Sequence, residues 1–116
     1  MQHRWILILK SNGRKIGTCG YHCWDKDRNC VDIGYDLQEE YWGQGFMREA
    51  LIAILDFARY EMKVSRIHAH IYVDNLKSIR SVEKLGFTFN GETEVCIFRG
   101  KEYLHNIYSL ACLPGL

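Results

Sequence analysis

Hydrophobic and polar positions change period several times along the chain, and each change marks an element. Trp5 to Lys10 is rich in Ile and Leu and closes at Ser11-Asn12-Gly13, a hairpin turn signal. Lys15 to Trp24 reads as a second strand, in which Gly17 and Gly20 mark a bulge or a close backbone approach. Asp25 to Asn29 is a polar turn. Cys30 to Leu37 then alternates, with Val31, Ile33, Tyr35 and Leu37 set against Asp32, Gly34 and Asp36, as a strand with one buried face does. From Phe46 to Lys63 the period lengthens. Met47, Ala50, Leu51, Ile54, Leu55, Ala58 and Met62 share one face of a helix. Arg66 to Val73 returns to alternation, with Ile67, Ala69, Ile71 and Val73 on one side and His68, His70 and Tyr72 on the other.

Asp74-Asn75 opens a second, shorter helix carrying Leu76, Ile79, Val82 and Leu85. Asn75 suits its N-cap and Gly86 a left-handed residue just past its end. Phe87 to Glu94 and Tyr103 to Leu110 read as two final strands around a turn near Arg99-Gly100-Lys101. The order β-β-β-α-β-α-β-β predicts an α/β (α+β) fold. The sheet is mixed and mostly antiparallel, with helices against it and one parallel crossover through the longer helix.

Composition narrows the class of protein. The 116 residues fit one domain, residues 1–116, with enough chain for a buried core. A net charge of +1 leaves no electrostatic footprint for nucleic acid. No apolar run approaches the roughly 18 residues of a membrane span, and no signal-peptide pattern opens the chain. The one proline, Pro114, sits in the tail, so no linker precedes it. Five cysteines, with no CxxC pair, predict reduced thiols in a cytoplasm. Cys19 and Cys23 lie four apart on one strand and are expected to share a face, as buried small hydrophobes rather than a metal pair. His68 and His70 also share a strand face. Packing under a helix or bonding to backbone is expected of them rather than metal ligation, so no metal site is predicted.

Two segments carry candidate chemistry. The first, Tyr35 to Ala50, takes a strand end through an acidic loop to Gly43 and Gly45, which open the long helix. A helix N-terminus exposes unpaired N–H groups and a positive dipole end, and glycine lets a ligand approach that backbone. Together these make an anion cradle suited to a phosphate or pyrophosphate. The segment is neither a Walker loop nor the dinucleotide fingerprint. Taken alone it is equally a plain strand-to-helix turn. The second, Asp74 to Phe87, begins at the carboxyl end of the strand that would pair in parallel with Cys30 to Leu37. Ligands of such sheets favour the crevice beyond those strand ends, so both loops would open on one crevice.

The two segments, Tyr-Trp-Gly-Gln-Gly-Phe-Met-Arg-Glu-Ala-Leu and Asp-Asn-Leu-Lys-Ser-Ile-Arg-Ser-Val-Glu-Lys-Leu-Gly-Phe, resemble the cofactor motifs of the GCN5-related N-acetyltransferase (GNAT) superfamily. They most resemble the branch typified by ribosomal-protein alanine N-acetyltransferases, and the match runs from Trp5 to Leu110. The resemblance implies an acyl-CoA N-acyltransferase-like fold that binds acetyl-CoA where two parallel strands splay apart. It also implies transfer of the acetyl group to a primary amine, on a protein N-terminus or a small molecule. Its pyrophosphate pattern, Gln/Arg-x-x-Gly-x-Gly/Ala, falls on Trp42, Gly43, Gln44, Gly45, Phe46 and Met47. Trp42 and Met47 depart from it. N–H groups from Gly43 to Met47 would hold the pyrophosphate. Leu37 would offer backbone to pantetheine and the thioester, and Asn75 and Ser78 would lie near the pantetheine arm and sulfur. Where many members carry a proton-donating tyrosine, this chain has Val82. Ser78 is therefore the expected donor to the thiol. Tyr35, Asp36 and His22 are candidate bases by position, while Tyr72, Trp42 and Phe46 read as packing residues.

The resembling family begins with one strand and two helices ahead of the first strand seen here, so the chain reads as N-terminally short. That motivates a rival expectation, a non-catalytic acyl-CoA-binding or protein-interaction module of the same fold. It would also leave Trp5 to Lys10 as a sheet edge inviting a second copy of the chain.

Overall fold

The computed structural model describes residues 3–112, and Pro114 lies outside them. Six strands form one sheet in the order β1-β2-β3-β4-β6-β5. They are β1 (His3–Ile8), β2 (Lys15–Asp25), β3 (Cys30–Leu37), β4 (Arg66–Tyr72), β5 (Thr88–Phe98) and β6 (Lys101–Ala111). Helix α1 (Phe46–Tyr60) joins β3 to β4, and α2 (Leu76–Lys84) joins β4 to β5. Every neighbouring pair is antiparallel except β3–β4, the parallel pair that the α1 crossover requires.

Alternation places the core. Cys19, Tyr21, Val31, Ile33, Ile67, Ala69, Ile71 and Tyr108 line one face of the sheet. They bury against Leu51, Ile54, Leu55 and Ala58 of α1 and Val82 of α2. Both helices therefore pack on the same face. The Tyr21 hydroxyl donates to the Ile54 carbonyl, tying β2 to α1. Burial, assisted by the nearby Cys19 thiol, pushes the Tyr21 phenol well above its usual range. The intervening positions Thr18, His22, Asp32, Asp36, His68 and His70 put their polar side chains on the other face.

The element ends differ from the sequence expectations for local reasons. β1 stops at Ile8 because the hairpin loop already starts at Leu9, whose carbonyl accepts from Gly13 N at 2.8 Å. α1 ends at Tyr60 rather than Lys63 because Lys63 adopts φ 56°, which no α-helix continues through. The last hairpin is longer than expected, with β5 running on through Val95-Cys96-Ile97-Phe98. It turns tightly through Arg99 (φ 52°) and Gly100 (φ 75°), a left-handed pair that matches strand twist. Gly17 has both predicted features. The β1–β2 register slips beside it, and a Cβ there would lie 2.2 Å from the Asp36 carbonyl oxygen.

One expectation about the cysteines is corrected. Cys19 is buried and Cys23 is exposed, so they do not share a face. Between the His22↔Asp32 and Asp25↔Cys30 pairings, β2 carries one residue more than β3, and Cys23 takes φ 53°. A bulge of this kind breaks the two-residue repeat on which the prediction rested.

Candidate functional site

The parallel pairing of β3 with β4 runs from Cys30↔Arg66 to Ile33↔Ala69 and stops there. Beyond it β3 continues to Leu37 beside β2, while β4 continues to Tyr72 beside β6. The two strands part into a gap at their carboxyl ends. Gln38 N donates to Ile16 O at 2.8 Å, and ladder alternation then turns the backbone groups of Tyr35 and Leu37 away from β2, toward this gap.

One arm of the gap leads into the glycine loop. After a single 3-10 turn at Glu39–Tyr41, Gly43 (φ 76°) and Gly45 (φ 82°) deliver the chain to α1. Gly45 is the N-cap, and no side chain caps the first turn. Neither glycine has an atom within 4 Å of where a Cβ would stand, so backbone conformation rather than crowding calls for glycine. Gly43, Gln44 and Gly45 are exposed and Phe46 and Met47 half-buried. The Gln44 amide is turned back onto the Glu40 carbonyl at 3.3 Å, so this residue offers its backbone. Met47 packs against the core, which answers the missing small residue of the motif: its side chain is directed away from the cradle.

The other arm leads into α2. The Asn75 side chain caps that helix by accepting from Ser78 N at 3.3 Å, and Gly86 (φ 100°) ends it. The two predicted catalytic residues meet across the gap. The Tyr35 hydroxyl is hydrogen-bonded to Ser78 Oγ. Burial raises the Tyr35 phenol above its usual pKa of 10, and the Ser78 bond offsets part of that rise. Tyr35 thus stays protonated through the physiological range and can act as a donor. Val82 is fully buried, so the α2 position where a tyrosine is common in the family faces the core here.

Three site features were not read from the sequence. Trp42 is exposed at 45% and is not a packing residue; its indole Nε1 donates to the Leu37 carbonyl at 2.8 Å. That occupies one of the two Leu37 groups expected to face pantetheine and leaves its N–H. Lys77, in the first turn of α2, sets its ammonium 4.7 Å from the centre of the Trp42 ring, joining the two loops. Asp36, a candidate base, is held at 2.8 Å by the Thr18 hydroxyl and at 3.4 Å by Arg4. His22 lies on the polar face with Asp32, away from the gap.

Known proteins agree with this geometry. The family profile described as "Acetyltransferase (GNAT) domain" matches residues 1–88. The chain belongs to the GNAT family. The uncharacterised N-acetyltransferase p20 of Bacillus licheniformis is 34% identical over 89 residues, covering 77% of this chain and 50% of that protein. Among solved structures, the ribosomal-protein-S5-alanine acetyltransferase of Vibrio fischeri superposes with a TM-score of 0.87 at 26% identity, covering 96% of this chain and 62% of that one. A chimera of the Vibrio cholerae spermidine N-acetyltransferase superposes at 0.82 with 19% identity, over 95% and 66% of the two chains, a likeness of fold. The GNAT chain spans between one half and about three fifths of the curated relatives it matches first.

Family membership gives meaning to the gap, since GNAT proteins generally use acetyl-CoA. The residues present fit that ligand: an uncapped helix N-terminus, two left-handed glycines and a cleft between parted strands. On the polar face the histidines differ from expectation, because they bond neither to backbone nor beneath a helix. His68 Nδ1 lies 2.8 Å from Ser109 Oγ, and burial lowers its pKa. His70 Nε2 lies 3.4 Å from Asp32 Oδ2, and its bond to that carboxylate raises its pKa. The Asp32 side chain is only 16% exposed.

Proposed function

We propose that this GNAT chain binds acetyl-CoA in the β3–β4 gap and serves transfer of the acetyl group to a primary amine. The observation that carries the proposal is the Tyr35–Ser78 hydroxyl pair bridging the gap opposite the uncapped glycine loop of α1. Backbone N–H groups of Gly43, Gln44, Gly45, Phe46 and Met47 hold the pyrophosphate, aided by the α1 dipole. The Leu37 N–H, and Asn75 and Ser78 at the start of α2, hold the pantetheine arm. Acetyl-CoA supplies a thioester-activated acyl group. Ser78 Oγ holds the proton offered to the thiol side and is resupplied by the Tyr35 hydroxyl. An N-terminal α-amine, with a pKa of about 7.7 to 8.0, is substantially neutral near pH 8 and needs only water to take its proton. The alanine acetyltransferase and spermidine acetyltransferase likenesses support an amine acceptor as the substrate class.

Two further readings belong with this one. All five cysteines are free thiols, which supports a reducing cytoplasm as the setting. No helix among the described residues is long and apolar enough to cross a membrane.

Calorimetry with acetyl-CoA, followed by thiol release across a panel of amines, tests the proposal. We expect binding, weakened by Asn75→Ala, and a turnover that Ser78→Ala lowers far more than it lowers affinity. Absence of binding at millimolar acetyl-CoA overturns the site. Binding without turnover on any amine assigns the chain instead to the acyl-CoA-binding module reading.

A further inference from the structure

The polar face of the sheet holds a cluster that the acetyl-transfer site does not use. Ligand atoms of His22, Cys23 and Asp32 all lie within 4.8 Å of one another. The His22 Nε2 to Asp32 Oδ2 distance is 4.0 Å, and the Asp32 oxygen is also held by His70 Nε2 at 3.4 Å. His70 is in turn 3.6 Å from Glu94 Oε1 through its other ring nitrogen. His22, Asp32 and His70 are half-buried, while Cys23 and Glu94 are exposed.

We propose that His22, Cys23 and Asp32 form a zinc site, with His70 positioning the Asp32 carboxylate. Three arguments carry it. The first is chemical. Imidazole, thiolate and carboxylate are the three side-chain ligands zinc takes, and a set of three with solvent in the fourth position is one of its two common arrangements. The second is the bulge. Adjacent residues on a regular strand point to opposite faces, so His22 and Cys23 would be separated by the sheet. The extra β2 residue and the left-handed Cys23 backbone bring the thiol round to His22. Bulges are a recurrent means of re-aiming a side chain in this way. The third is the outer support. A ligating carboxylate is ordinarily held by a further hydrogen-bonding group, and His70, anchored on its far side by Glu94, supplies one to Asp32.

The pairs that spacing alone suggested, Cys19 with Cys23 and His68 with His70, each contribute one member and lose the other. Cys19 is buried in the core and His68 turns to Ser109. Tetrahedral zinc with bonds of about 2.0 to 2.3 Å sets its ligand atoms roughly 3.5 Å apart. From atoms already within 4.8 Å of one another, closing the site takes an approach of roughly 1 Å. Binding displaces the Cys23 thiol proton and takes His22 in its neutral form, so protons are released to solvent as zinc enters. The site is remote from the acetyl-CoA gap. Asp32 precedes Leu37 by five strand residues, about 16 Å, and points to the opposite face of the sheet from Tyr35.

The test is a cobalt(II) titration of the full metal-stripped chain under a non-thiol reductant. We expect a thiolate-to-cobalt charge-transfer band and tetrahedral visible bands that saturate at one equivalent and are abolished by added zinc. Cys23→Ser removes the charge-transfer band. His22→Ala and Asp32→Asn weaken zinc at least tenfold, and His70→Ala weakens it by about tenfold or more. Cys30→Ser and Cys96→Ser leave the spectrum unchanged, with circular dichroism confirming that each variant is folded. No charge-transfer band at equimolar cobalt overturns the proposal. So does a band that survives Cys23→Ser, or one lost instead with Cys30→Ser. None of these readouts depends on acetyl transfer.

Discussion

Gly45 offers a way to separate backbone strain from ligand recognition at the cradle. It holds φ 82° at the N-cap of α1, with open space where a Cβ would stand. Gly45→Ala therefore meets no steric neighbour, and its cost is conformational. Placing a non-glycine residue in the left-handed region costs about 1–2 kcal/mol. For a domain of this size that lowers the Tm by about 4–8 °C. Gly45→Glu carries the same backbone cost and adds a carboxylate where the pyrophosphate is expected. Two unit charges about 4 Å apart repel by about 1 kcal/mol in water and about 4 kcal/mol at a partly screened surface. Gly45 is exposed, so the lower half of that range applies, and acetyl-CoA should bind Gly45→Glu about 5- to 70-fold more weakly than Gly45→Ala. Calorimetry on the two variants at equal ionic strength reads the charge alone, because the backbone strain cancels between them. Raising the salt to 1 M, where the Debye length is about 3 Å, should narrow the gap. Equal affinities for the alanine and glutamate variants, with both folded, would refute the placement of the anion at this helix end.

Other outcomes follow from the same geometry. Gly17→Ala puts a Cβ into the Asp36 carbonyl, a clash with backbone that no rotamer relieves, so we expect it to cost at least about 2 kcal/mol and shift urea unfolding accordingly. Phe87 is 2% exposed beneath α2, and Phe87→Ala should lose about 3–5 kcal/mol; a loss below 1 kcal/mol would mean the α2–sheet contact is misplaced. The Tyr21 and Tyr35 phenols are raised in the fold, so the stability they lend is complete below the unfolded-state pKa of about 10 and is lost as pH climbs past it. Chemical denaturation between pH 8 and 11 should show that decline, and Tyr21→Phe should flatten it. β1 ends the sheet with Ile6 58% and Ile8 53% exposed, which supports self-association through that edge. Sedimentation should detect a species above monomer that Ile6→Lys disperses, whereas a monomer at every concentration contradicts it.

How far the chain could be read depended on the range of the interactions involved. β3 was predicted at its observed bounds because its alternation is strict and polar turns flank it. The α2 cap and stop were legible because Asn75 and Gly86 act on their own immediate backbone. The end of α1 was not, because Met62 keeps the helical hydrophobic spacing while Lys63 has already left the helix. The strand that β5 adds beyond Glu94 was missed for a similar reason. Val95, Ile97 and Phe98 gain their conformation from pairing with β6, not from a pattern of their own. Within the site, Tyr35 and Ser78 lie 43 residues apart in the chain, and their hydrogen bond exists only once α2 docks over β3.

Element order, the parallel crossover and the two loops that mark a GNAT protein are legible in the chain alone. These depend on periodicity and on residues that act within a few positions of themselves. Tertiary structure decided where β3 and β4 part, that the Trp42 indole takes the Leu37 carbonyl, and that one additional β2 residue brings Cys23 beside His22 and Asp32. Each of these depends on how one strand is registered against another. Register is set by the packing of the whole sheet and helices, and a single-residue slip changes which face a side chain meets.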